Sequence, residues 1–174
     1  MTSEAQAAQI QSARTRPTFE FEPHNCFACG ELNEHGLRLQ LHLEERRSWT
    51  EFVLEDRFEG WSGVTHGGII ATILDEVMAW ALVAEDNWGV TARMSIEFKR
   101  PVPVGTKVRA EGWIVRNRRK LIDTAGQVVN EKGDVLATSE AVYVAAGEER
   151  KRELMERYGV RIRYARETGE GISK

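Results

Sequence analysis

A histidine followed by two glycines opens an apolar segment that could act on a carbonyl group. The segment begins at His66-Gly67-Gly68 and continues with hydrophobic residues at helical spacing. The first amides of a helix have no acceptor within the helix, and the helix dipole adds positive potential there. Glycine lets a ligand approach the main chain closely. The pattern predicts that the amide of Gly67, helped by that of Gly68, stabilises an oxygen that gains negative charge during acyl transfer.

An acidic residue, Asp75, follows two turns later within an otherwise apolar helix. A carboxylate in a mostly buried helix is costly unless it has a partner or a chemical task. Two interpretations stay open: Asp75 takes part in catalysis, or it forms a solvated helix edge with Glu76. The two side chains leave the helix about 100° apart, so both cannot point at the same substrate atom.

The spacing of apolar residues and turn signals predicts the elements that must position these groups. A long central helix is predicted over residues 66–84, after a loop at 55–65, and a charged amphipathic helix over 147–158. Alternating residues predict strands over 37–43, 48–54, 90–99, 107–115, 121–130 and 135–144. The order of two strands, a long helix and four strands favours an α+β fold in which an antiparallel sheet wraps around one central helix.

Three pieces of the sequence, in order, resemble the hotdog-fold acyl-CoA thioesterases. They are the loop and helix entrance at 58–68, Asp75 nine residues after His66, and the segment 89–103 with Thr91 near its start and Lys99-Arg100-Pro101 at its end. An upstream Cys-x-x-Cys-Gly at 26–30 resembles a lead-in of bacterial members. The similarity covers residues 24–145. Among these thioesterases, the sequence resembles the 4-hydroxybenzoyl-CoA thioesterase-like and phenylacetate-pathway types, and it most resembles the thioesterase-superfamily member 4 branch. One departure is Gly60, where the phenylacetate-pathway type often carries an Asn.

The resemblance implies hydrolysis of acyl-CoA thioesters and assigns roles to particular residues. Asp75 would be the general base for a water or the nucleophile, two alternatives that the sequence leaves open. Thr91 would hold the water or the Asp75 carboxylate, and His66 would shape the loop as a hydrogen-bonding residue. The resemblance also places coenzyme A contacts at Lys99, Arg119 and Lys120. The alternative for the last two is a solvated hairpin tip.

The spacing of Gly67 and Asp75 predicts a site shared between two chains. Eight residues of helix correspond to about 12 Å along the axis, so one thioester carbon cannot touch both. Two antiparallel helices across a twofold axis would set Gly67 of one chain against Asp75 of the other. We therefore expect a homodimer or a dimer of dimers.

Composition sets broad limits on function. The chain has 174 residues and a formal net charge of −3, which gives no reason to expect nucleic acid as a partner. No run of 18 apolar residues is present, and the start lacks a secretory pattern, so we expect no membrane span and a cytoplasmic location. We expect an N-terminal arm over residues 1–23, a hotdog domain over 24–146, and a C-terminal helix and tail over 147–174.

Cys26 and Cys29 form a single Cys-x-x-Cys pair. A structural zinc ion normally needs four ligands, usually from two such pairs. The spacing of His24 and His35 fits no standard zinc knuckle. We therefore expect reduced cysteines packed in a loop, with no metal and no cofactor.

Two other functions compete with hydrolysis. A non-catalytic acyl-CoA sensor would generally carry a DNA-binding helix-turn-helix, and the residues before the first strand show no convincing one. A hydratase would need a histidine positioned to remove a proton beside a carbonyl, whereas His66 lies at the glycine entrance.

Overall fold

A computed structural model describes residues 17–164 of the chain. Two helices, α1 (Gly67–Val83) and α2 (Glu148–Arg157), and a one-turn 3-10 helix (Asp56–Phe58) occur in this part. The strands in it are β1 (Pro17–Glu20), β2 (His42–Glu44), β3 (Arg47–Val53), β4 (Glu59–Trp61), β5 (Val64–Thr65), β6 (Gly89–Phe98), β7 (Lys107–Arg118), β8 (Leu121–Asn130), β9 (Val135–Ala145) and β10 (Arg161–Tyr164).

One antiparallel sheet carries most of the structure. Its strand order is β2-β3-β7-β8-β9-β6, so the chain's four long strands after α1 lie side by side with β6 at one edge. The apolar face of α1 packs across this sheet, and its buried residues form the centre of the core. This is the hotdog arrangement predicted from the element order.

A row of small residues lets α1 approach the sheet closely. Ser48, Gly112, Gly126 and Ser139 are register partners across β3, β7, β8 and β9, and all four are buried. The Ser48 hydroxyl donates to the Val77 carbonyl of α1. A Cβ at Gly112 would lie 2.5 Å from that same carbonyl oxygen. The helix main chain therefore rests directly on the sheet at this point.

The predicted strand over residues 37–43 is wrong for most of its length, since only His42–Glu44 forms a strand. Arg38 has φ of 50°, which breaks an extended chain. The amides of Leu37 and Leu39 donate to carbonyl oxygens of the upstream cysteine loop rather than to a neighbouring strand. Leu37, Leu39 and Leu41 do pack in or against the core, so the alternating pattern indicates burial and not strand pairing.

The predicted loop over residues 55–65 is more ordered than expected. It contains the 3-10 helix and the β4–β5 hairpin, and the His66 amide donates to the Phe58 carbonyl. The Thr65 amide donates to Val102. These bonds tie the entrance of α1 to the 3-10 helix and to the segment between β6 and β7.

The two ends of the described chain meet, because β1 pairs antiparallel with β10. The predicted N-terminal arm and C-terminal tail extend beyond them, into residues 1–16 and 165–174, which lie outside the described residues. Neither of the two described helices has the length and apolar character needed to cross a membrane.

The close approach at Gly112 makes a stability prediction. Gly112→Ala should lower the free energy of unfolding by about 3 kcal/mol, because the new methyl group overpacks the helix–sheet contact. Gly147→Ala is the matched control, since a Cβ there meets nothing within 4 Å, and it should cost less than about 1 kcal/mol. Urea denaturation measures both, and equal losses would contradict the proposed contact.

Candidate active site

The Asp75 carboxylate is fixed by two hydroxyl groups from the sheet. Thr91 Oγ1 on β6 donates to Asp75 Oδ1 over 2.6 Å, and the Tyr143 hydroxyl on β9 lies 2.8 Å from the same oxygen. The Tyr143 hydroxyl also lies 2.9 Å from the Asp75 carbonyl oxygen. Within residues 17–164, Oδ2 of Asp75 accepts no hydrogen bond. The arrangement holds the carboxylate in one orientation and leaves one oxygen available.

Tyr143 is a site residue that the sequence analysis missed. It is 1% exposed and is the register partner of Thr91. Burial raises the pKa of Tyr143 above its usual range, and the negative charge of Asp75 adds to the shift. The phenol therefore stays protonated and serves as a donor. The sequence feature that could have revealed Tyr143 is the alternation of buried residues along β9. This alternation places a hydroxyl group at a buried position, where small and apolar residues are usual.

The entrance of α1 is capped by its own histidine. Nδ1 of His66 accepts a hydrogen bond of 2.9 Å from the Gly68 amide. The expectation that Gly68 helps Gly67 to bind an oxyanion is therefore corrected, because the Gly68 amide is already engaged. In the described part of the chain the Gly67 amide has no acceptor. The ring of Phe98, at the end of β6, lies beside Gly67.

Glu76 faces a different part of the molecule from Asp75. Its Oε1 accepts a hydrogen bond of 2.8 Å from Trp80 Nε1, and its carboxylate lies beside the Cys26 and Cys29 thiols. Burial raises the pKa of Glu76 to about 7, and the Cys26 charge contributes. The prediction that the two carboxylates diverge is confirmed, and the solvated-edge interpretation fails for Glu76.

The two cysteines are half-buried and are not joined by a disulfide in the described residues. A hydrogen bond from Cys29 lowers the pKa of Cys26 to about 5, and the same bond raises the pKa of Cys29 above its usual range. Trp80 and Trp88 line the cavity around these thiols, whereas Met78 is fully buried in the core.

The candidate coenzyme A contacts lie far apart in one chain. Lys99 follows β6 near the Gly67 end of α1, and its Nζ lies 2.9 Å from Glu97 Oε2. Arg119 and Lys120 form the exposed β7–β8 turn, where Arg119 has φ of 64°. The Ala145 amide donates to the Lys120 carbonyl, which places this turn at the opposite end of β6.

Residues 62–137 match the profile of the thioesterase superfamily. This segment is therefore similar to the thioesterase superfamily. Asp75, Gly67 and Thr91 lie within the matched residues, whereas Tyr143 lies beyond them.

A curated relative and two solved structures extend this finding. The chain is 29% identical over 94 residues to the acyl-coenzyme A thioesterase THEM4 of Xenopus laevis, which covers 54% of this chain and 42% of that relative. The chain thus spans less than half the length of that protein. The thioesterase-superfamily protein RHA08564 superposes with a TM-score of 0.66 at 26% identity, covering 68% of this chain and 62% of that one. Protein smu.793 of Streptococcus mutans, solved with acetyl CoA bound, has a TM-score of 0.60 at 19% identity, covering 63% and 89%.

Proposed function

We propose that this protein hydrolyses acyl-CoA thioesters to the free acid and coenzyme A, at sites shared between two copies of the chain. The observation that carries the proposal is the Asp75 carboxylate, which receives two hydroxyl groups on Oδ1 and keeps Oδ2 available. Its location among the residues that match the thioesterase superfamily, and the similarity to an acyl-coenzyme A thioesterase, support the reaction class.

The chemistry needs an oxyanion donor and a group that delivers oxygen to the thioester carbon. The Gly67 amide has no acceptor in the described residues and lies at the positive end of the α1 dipole, so it is suited to the carbonyl oxygen. Oδ2 of Asp75 either takes a proton from the attacking water or attacks the carbon itself to form a mixed anhydride. Either route ends with water consumed and the thiol released, and no cofactor is required.

Two features support assembly of the site from two chains. The Gly67 amide and the Asp75 carboxylate are separated by about 12 Å of helix, which is too far for one thioester. Strand β6 is an edge of the six-stranded sheet and has exposed apolar residues at both ends, with Val90 at 68% and Phe98 at 54% exposure. An exposed edge strand of this kind favours pairing with another chain.

Antiparallel pairing of β6 with its twofold copy would complete two sites at once. Thr91, which contacts Asp75, lies near the start of β6, and Phe98, which lies beside Gly67, is at its end. Pairing start to end therefore brings Asp75 of one chain toward Gly67 of the other. It also brings Lys99 of one chain to the same end as Arg119 and Lys120 of the partner, where they could share the phosphates of one coenzyme A.

Removing the Gly67 amide should abolish most turnover without disturbing the helix. Gly67 is the first helical residue, a position that tolerates proline, and His66 has the extended φ of −59° and ψ of 132° that precede proline well. We expect Gly67→Pro to lower kcat by about 100-fold or more, as loss of an oxyanion donor does. Gly67→Ala keeps the amide and should stay within a few-fold of wild type.

The assay is thiol release from a panel of short, long and aryl acyl-CoAs. Asp75→Asn should abolish release from all members. If the wild type binds acyl-CoA but releases no thiol from any of them, the protein is a sensor and the proposal fails.

Mixed dimers test whether the site is shared. When Asp75→Asn and Gly67→Pro chains are unfolded together and refolded in equal amounts, half of the dimers are mixed, and each has one intact site. We expect recovery of about one quarter of wild-type activity. A site built within one chain would give no recovery above the two variants alone.

A charge reversal tests the coenzyme A contacts. Arg119→Glu should raise KM for acyl-CoA by about tenfold, with little change in kcat, because a phosphate contact binds ground and transition states equally. Arg38→Glu is the matched control, since Arg38 is also exposed and also has a positive φ. If both variants keep the wild-type KM, the β7–β8 turn does not bind the substrate.

A further inference from the structure

A second cluster of reactive side chains lies on the other side of α1 from the Asp75 carboxyl contacts. The thiols of Cys26 and Cys29 and the carboxylate of Glu76 have ligand atoms that all lie within 4.8 Å of one another. They line a cavity of about 160 Å³ together with His24, Trp80 and Trp88. The proposed hydrolysis uses none of these residues.

The cysteine loop is built as a tight turn that points both thiols the same way. The Gly30 amide donates to the Cys26 carbonyl over 2.9 Å, which closes the turn around the Cys-x-x-Cys pair. Position 30 must be glycine because a Cβ there would collide with the main chain of His24 and Cys26. The two sulfur atoms and a Glu76 carboxylate oxygen therefore converge on one point, which is the geometry that a bound metal ion needs.

One histidine, His24, lies beside Cys26, and no lysine or arginine of the described residues lines the cavity. Glu76 is half-buried, and within the described residues no Lys, Arg or His makes a salt bridge to it; its carboxylate receives the indole N–H of Trp80. Two thiols and a carboxylate that converge beside a single histidine are costly to ionise together. A bound divalent cation removes that cost.

We propose that Cys26, Cys29 and Glu76 bind one zinc ion per chain. Two thiolates and a carboxylate are ligands that Zn²⁺ accepts, whereas Mg²⁺ and Ca²⁺ prefer oxygen alone. Three protein ligands leave the fourth tetrahedral position for a water in the cavity. The Nε1 of Trp88, on the cavity wall, is buried without a hydrogen-bond partner in the described residues. A water bound to the zinc ion could accept a hydrogen bond from this indole N–H.

The ion would join the segment before β2 to the middle of α1. Cys26 and Cys29 lie in a loop that contributes few main-chain bonds to the sheet, and Glu76 directly follows Asp75. Zinc therefore fixes the loop against the helix that carries the active carboxylate. Because metal binds the folded chain, it should raise the Tm, and the rise should continue with the logarithm of the free zinc concentration above the Kd.

Cobalt substitution is the experiment that tests this site. The full chain, purified with a phosphine reductant and stripped of metal, is titrated with Zn²⁺ alone and with Co²⁺ alone. We expect one equivalent of either ion to bind, with thiolate-to-cobalt charge-transfer absorption and the visible bands of tetrahedral cobalt. Absence of thiolate-to-cobalt bands in the wild type, which needs no variant to fold, would overturn the proposal.

A pair of neighbouring carboxylate-to-amide changes identifies the third ligand. Glu76→Gln should weaken cobalt affinity by more than about 100-fold, while Asp75→Asn should keep the wild-type spectrum and affinity. An unchanged spectrum in Glu76→Gln would remove Glu76 from the site and refute the three-ligand arrangement. The metal readout does not depend on turnover, so its outcome is separate from that of the proposed hydrolysis.

Discussion

The structure depends on one close contact, between the main chain of α1 and the small residues beneath it. The Val77 carbonyl meets the Ser48 hydroxyl and the bare backbone of Gly112, while Met78 packs over Gly126. Larger side chains in that row would lift the helix away from the sheet. The contact holds the middle of α1, two residues beyond Asp75, at a depth where Thr91 and Tyr143 can reach its carboxylate.

The carboxylates of the consecutive residues Asp75 and Glu76 lie in two different environments, because successive residues of a helix point in directions about 100° apart. Asp75 faces β6 and β9, where hydroxyl groups donate to one of its oxygens. Glu76 faces the cysteine loop, where burial raises its pKa and an indole donates to it. The helix therefore presents one carboxylate to hydroxyl groups of the sheet and the other to the cysteine loop. A shift of α1 by one residue would move one carboxylate into the place of the other and leave an apolar side chain in the second place.

The sequence predicted the elements whose periodicity is long and regular, including α1 and the four strands after it. The strand prediction failed where an alternating pattern reflects burial rather than strand pairing. The alternating leucines before β2 face the core, but the positive φ of Arg38 prevents the segment from pairing as a strand. Tyr143 was missed because it lies 68 residues from Asp75, and only the folded sheet brings them together. The hydrogen bond from the Gly68 amide to His66 depends on the rotamer of the histidine side chain. The spacing of residues in the sequence does not specify that rotamer.

The same strand explains why a shared site would form reliably. Strand β6 contacts Asp75 through Thr91 near its start and lies against Gly67 through Phe98 at its end. In a twofold pair of antiparallel β6 strands, any register that aligns the start of one with the end of the other aligns both sites equally. A slip in this pairing would move Gly67 of one chain along the strand, away from Asp75 of the other, whereas the Thr91–Asp75 contact lies within one chain and would stay intact. Pairing and chemistry would therefore be specified by one register, so that a misaligned pair would lose both sites together.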